Sequence, residues 1–194
     1  MKKIWILFLV GMINASAFSQ TKWNVDVSHT TVKFTVTHLV ITEVDGLFKV
    51  FDGSIQTKNA DFVDAQIDFS VDASSINTNN EMRDNHLKGD DFFNTEKFPK
   101  MTFKSKSFKK ISGNKYELIG DLTIRDITKN VKFDVSYGGI AKDPWGNIKA
   151  GFKASTQIKR SEYNLKWNTL TESGGAVVSD EVDAQLKLEF NQAK

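Results

Sequence analysis

The chain has 194 residues and contains no cysteine, two prolines and three histidines. Without cysteine there are no disulfides, no thiolate metal sites and no cysteine nucleophile. The histidines, His29, His38 and His86, form no H-E-x-x-H motif and no closely spaced pair, whereas a catalytic zinc needs clustered His and carboxylate ligands. His29 and His38 are nine positions apart, so on one regular strand they would point to opposite faces. No metal and no cofactor is expected. There is no G-x-S-x-G elbow for a serine nucleophile. There is no G-x-G-x-x-G or P-loop glycine pattern for phosphates. The formal net charge is +2, and removing Lys2 and Lys3 leaves 24 basic against 24 acidic residues. No basic stripe of the kind nucleic acid requires is left.

Long apolar runs are also missing. The longest, Ile4 to Ile13, is shorter than the ~20 residues a membrane span needs. It follows Lys2 and Lys3 and precedes Ala15, Ser16, Ala17 and Ser19. This is the pattern of a secretory signal peptide over residues 1–19, and cleavage after Ala17 or after Ser19 satisfies the small-residue rule. Export to the periplasm is expected, with release outside the cell as the other destination. No integral membrane segment is expected after signal removal, and residues 20–194 are expected to form one domain.

What is abundant is phenylalanine, 15 residues, and period-two alternation. Val32, Phe34 and Val36 alternate with Lys33, Thr35 and Thr37. The same holds for Ile67, Phe69 and Val71, and for Val182, Ala184, Leu186, Leu188 and Phe190. Such alternation marks half-buried strands. The segment 112–114 (SGN) reads as a hairpin turn, and 143–147 (DPWGN) as a Pro/Gly turn. Strands with one apolar face build either a sandwich or a closed antiparallel barrel. Short connections between about eight strands favour the barrel, which leaves no exposed edge. The main interruption is NTNNEMRDNHLKGDDFF at 77–93, where Asn79 or Asn80 would cap a short helix and Gly89 would end it.

A barrel of this size is either packed or holds one ligand. The candidate lining residues are Phe34, Val36, Phe48, Phe51, Phe69, Leu87, Phe92, Phe93, Phe103, Leu118, Leu122, Phe133 and Phe152. A polar cluster of Arg83, Asp84 and His86, together with His38, either anchors the helical insertion or meets the polar head of a ligand, since Arg suits phosphate or carboxylate. No catalytic residue is assigned.

Five stretches in order carry a resemblance: WNVDVSHTTVKFTVTHL at 23–39, GLFKVFDGSI at 46–55, SINTNNEMRDNHLKGDDFFNTEKFPKMTF at 75–103, GDLTIRDITKNVKF at 120–133 and SEYNLKW at 161–167. The chain resembles the YceI family of exported bacterial proteins. The resemblance implies an all-β fold, a lipocalin-like elongated antiparallel β-barrel with a short helical insertion near residues 80–93. It also implies an internal tunnel for a polyisoprenoid or related long-chain lipid, and a homodimer as one form of assembly. Two places depart from the family pattern: RDITKN at 125–130, where an altered loop shape is expected, and Asn164, which stands where a glycine is frequent and tolerates the left-handed conformation. The function expected is a non-enzymatic carrier of an apolar lipid, isoprenoid or fatty-acyl. The alternatives are an enzyme acting through Arg83, Asp84 and His86, or a ligand-free, stress-related module with a filled core.

Overall fold

A computed structural model describes residues 20–170, 172 and 174–194. The signal peptide expected over residues 1–19 lies outside the described residues. Eleven strand segments and one α-helix follow one another: β1 Thr21–Val25, β2 Thr31–His38, β3 Thr42–Phe48, β4 Phe51–Thr57, β5 Gln66–Asp72, β6 Ile76–Asn77, α1 Glu81–Lys88, β7 Lys100–Ser112, β8 Lys115–Ile124, β9 Ile127–Lys142, β10 Ile148–Lys159 and β11 Val178–Gln192.

These segments form a closed antiparallel barrel of eight staves. Strand β11 pairs with both β1 and β2, so the first two segments are one stave broken at residues 26–30. Segments β3 and β4 form the next stave, broken at residues 49–50, because β3 pairs with β2 and β4 with β1. Segments β5 and β6 form the third, broken by a 3-10 turn at Ala73–Ser75. Ser75 bridges the second break: its hydroxyl oxygen accepts from the backbone N–H of Lys49 at 3.1 Å and of Val50 at 3.0 Å. His29 therefore lies in a turn and not on a strand, and the opposite-face argument for His29 and His38 does not apply.

The turns follow their local chemistry. Gly113 has φ +52° in the two-residue connection between β7 and β8. Asp143 accepts from the backbone N–H of Trp145 and of Asn147, which closes the 143–147 turn. Asn164 takes φ 60°, the left-handed cap expected of it.

Inward residues form two apolar clusters. In the lower one, Phe62 stands among Trp23, Tyr137 and Phe152, with ring centroids 5.1–5.5 Å away. Phe62 belongs to the loop between β4 and β5 and is 1% exposed. That loop is fastened by the Tyr116 hydroxyl, which donates to Asp61 O at 2.8 Å, and by Asp64 N–H, which donates to Phe108 O at 2.9 Å. Phe62 thus floors the barrel at the end where β1 begins and β11 ends. The upper cluster surrounds Phe48, Ile76, Phe92, Tyr163 and Leu165 beneath α1 and the β10–β11 connection.

Candidate lipid-binding cavity

Between floor and cap lies a cavity of about 360 Å³. It reaches from His38 and Val178 at the mouth to Leu188 and Phe190 near the floor. On β11 alone it is lined by Val178, Val182, Ala184, Leu186, Leu188 and Phe190. Between Val178 and Val182 the strand bulges, four residues spanning two of β2, so at ~3.3 Å per residue and the ~35–45° tilt of barrel strands the run corresponds to roughly 25 Å of depth. The space is therefore long and narrow.

The wall is shaped by phenylalanines lying flat on glycines. Phe34 pairs with Gly46 across β2 and β3, and Gly53 with Phe69 across β4 and β5. A methyl group added at Gly46 would overlap the Phe34 ring, and one at Gly53 would overlap the Phe69 ring. Gly120 accommodates the Phe103 ring in the same way. A glycine in a strand lets a neighbouring group approach closely. Here it lets the rings hug the wall, so large aromatic residues line the lumen without filling it.

The sequence-derived lining residues Phe34, Val36, Phe48, Phe69, Leu87 and Phe92 face this cavity, as do Phe93, Phe103, Leu118, Leu122 and Phe133. Phe51 and Phe152 do not. Phe51 instead packs against the upper apolar cluster and stacks on Phe69, 5.9 Å between centroids. Phe152 lies too low and packs against Phe62 and Phe190 in the floor. Phe92 and Phe93 both line the cavity although adjacent, because their segment turns: Phe92 N–H donates to Gly89 O and Phe93 N–H to Leu87 O.

The polar cluster is built on Thr78. Asp84, 7% exposed, accepts from Thr78 N–H at 2.8 Å and from the Thr78 hydroxyl at 2.6 Å, both through Oδ1. Arg83 Nε donates to Thr78 Oγ1 at 2.7 Å and Nη2 to Thr78 O at 2.8 Å. Arg83 and Asp84 thus converge on one residue and do not pair with each other. Asn80 caps the helix by accepting from Arg83 N–H at 3.0 Å, and Gly89 ends it. His86 Nε2 is 3.5 Å from Asp91 Oδ2, and its ring meets Phe92 and Trp167 edge-on. Thr78, Arg83, His86 and His38 border the cavity, while Asp84 lies behind it.

Two arginines outside the sequence-derived set hold the cap. Arg160 is 7% exposed and donates to Ser179 O, Leu165 O, Trp167 O and Val178 O at 2.7–3.3 Å. Burial pulls its pKa below the ordinary value. Arg125 sits in the β8–β9 turn with φ +56° and donates through Nη1 to Asp90 O, Phe92 O and Asn164 O. The turn that departs from the family pattern is therefore the clasp of the helical insertion.

Among the described residues, one group has the composition of a metal site: Asp26, His29 and Glu189. A cation of the protein's own already occupies it. Lys149 Nζ lies 2.7 Å from Asp26 Oδ2 and 2.9 Å from Glu189 Oε1. Desolvation opposes the Asp26 charge, but hydrogen bonds from Lys149, His29, Ser28 N–H and Asn191 outweigh it and hold the carboxyl far below the carboxylate range.

A YceI-like domain model matches residues 23–190. The chain belongs to the YceI family. A UPF0312 protein of Staphylococcus aureus strain N315 is 37% identical over 172 residues, 88% of this chain and 98% of the relative. The crystal structure of a Campylobacter jejuni YceI protein superposes with TM-score 0.70 at 34% identity, over 81% of this chain and 90% of that one. A domain from Saccharophagus degradans, described as polyisoprenoid binding and implicated in plant cell wall breakdown, shares the fold at TM-score 0.67 and 15% identity, over 88% of this chain and 98% of that one. The lipocalin-like barrel implied by the sequence resemblance is thus the fold of this YceI protein.

Proposed function

We propose that this YceI protein is a non-catalytic carrier that holds a long-chain apolar lipid, polyisoprenoid or fatty-acyl, in its barrel. The observation that carries the reading is the deep cavity walled by Phe34, Phe69, Phe103 and the β11 aliphatic row. A chain of CH₂ or prenyl units in that lumen gains ~0.8 kcal/mol per buried CH₂, so affinity does not depend on a head group. The family relationship and the polyisoprenoid-binding description of the Saccharophagus domain support the same reading. Arg83, which borders the cavity, meets the lipid's polar end: Thr78 engages its Nε and Nη2, which leaves Nη1 for a ligand. Against an enzyme, Asp84 is engaged by Thr78 and lies behind the cavity wall. The protein acts after export, in the periplasm or outside the cell, once residues 1–19 are removed.

Native mass spectrometry of protein purified without detergent tests this. The expected result is a copurifying lipid, and uptake of an isoprenoid or fatty-acyl probe after delipidation. A barrel that stays empty with every probe overturns it. The same spectra give the mature N-terminus, after Ala17 or Ser19, and show whether the protein is a homodimer.

A further inference from the structure

The mouth carries a turn that its own residues disfavour. Leu39 and Val40 join β2 to β3 with φ +53° and +64°, and Ile41 N–H donates to His38 O at 3.2 Å. Two left-handed central residues make the hairpin geometry that Asn-Gly serves best. A β-branched residue such as Val40 is an outlier there. Packing does not compensate: Val40 is 70% and Ile41 82% exposed. Strain that the surroundings do not explain points to function.

This tip is continuous with the rim. Leu39 N–H donates to Val177 O at 2.9 Å, Val177 N–H donates to Thr169 O at 2.9 Å, and Leu170 bridges to Ala176. Leu170 is itself 60% exposed. The inner side of the same ribbon, His38, Val177 and Val178, lines the cavity. Residues 38–44 and 168–178 contain Glu43 and Glu172 but no lysine or arginine.

We propose that Leu39, Val40, Ile41 and Leu170 dock the cavity mouth on an uncharged or zwitterionic lipid bilayer, so that the occupant passes between bilayer and barrel without crossing water. Protruding, exposed aliphatic side chains match fluid acyl chains, which need no complementary shape. The ribbon itself, with Glu43 and Glu172 and no lysine or arginine, gives no attraction for anionic lipid. The inference rests on the lipid-binding reading, since it assigns the mouth as the route of loading.

The test uses the full mature chain and phosphatidylcholine vesicles. The variant Leu39→Asn/Val40→Gly removes the apolar tip and suits the turn better, so its melting temperature equals or exceeds that of the parent. Flotation with vesicles, unaffected by added salt, is expected for the parent and lost in the variant. Transfer of a fluorescent isoprenoid probe between vesicles falls roughly tenfold or more in the variant, while equilibrium uptake of the same probe from detergent is unchanged. Failure of the parent to float overturns docking, even where uptake succeeds. Failure of uptake from detergent overturns the lipid-binding reading, even where flotation succeeds. A variant that transfers probe at the parent rate, or that only converts a dimer to monomer, assigns the tip to another partner and overturns the proposal.

Discussion

Phe34 on β2 occupies the space that a side chain on Gly46 of β3 would fill. Gly46→Ala therefore drives the ring toward the lumen. Overpacking costs about 1–3 kcal/mol, and the narrowed cavity admits less. The expected outcome is a lower denaturant midpoint together with reduced probe uptake, with Gly53→Ala doing the same through Phe69. Wild-type uptake by both variants would show that the rings do not shape the lumen.

Thr78 separates two roles in the polar cluster. Asp84→Ala leaves Thr78 N–H and hydroxyl without their acceptor, at a cost of about 1–3 kcal/mol. Urea unfolding measures this, and uptake of a plain hydrocarbon probe is expected to be unchanged. Arg83→Met is expected to weaken binding of a lipid with a phosphate or carboxylate end while leaving hydrocarbon uptake intact. Equal losses for both probes would make Arg83 structural only.

The Lys149 network predicts a pH window. Asp26 is depressed below its ordinary 3.8, so its contribution is present above that pH and fades as pH falls toward the folded value. Lys149 is raised above its ordinary 10.5 by hydrogen bonds to Asp26 and Glu189, so its contribution is present below that pH and fades as pH rises through the raised value. The stability difference between the parent and Lys149→Met is expected to shrink at both pH extremes, as Asp26 is protonated in acid and Lys149 is deprotonated in strong base. Isothermal titration of Lys149→Met with zinc is a second check, because the vacated position leaves Asp26, His29 and Glu189 together.

Arg160 holds four carbonyls of the cap, and Arg160→Met leaves them without that donor. Hydrogen exchange is expected to rise in residues 161–178 while β7 and β8 stay protected. The loss of stability is about 1–3 kcal/mol, the cost of leaving buried acceptors without a donor. Uniform exchange across the barrel would instead mean that the cap is not a separate unit.

Much of this architecture was legible from periodicity. Val182 to Phe190 alternate because a closed barrel has one lumen face, and every apolar residue of that row reaches the cavity. Alternation identifies the inward face but carries no height. Phe103 and Phe152 look alike in sequence, yet one lines the lumen and the other seals the floor, because Phe62 arrives beneath the second from a loop. The breaks at 26–30 and 49–50 were equally silent, since a strand and its continuation share a phase. Arg160 reads as one more polar residue after a strand. Only the carbonyls gathered around it from residues 165–179 distinguish it, and those come together through tertiary structure. The glycines facing Phe34 and Phe69 were accessible in principle, as unexplained gaps in otherwise bulky strands.

The Phe62 floor gives the barrel a direction. On the carrier reading, a vessel open at one end would be loaded and emptied through the same aperture, so a long amphiphile would enter tail first and rest with its polar terminus uppermost. Anything acting on the bound lipid from outside would meet that terminus before any other part of the molecule. The depth from rim to floor would then work as a ruler for the tail.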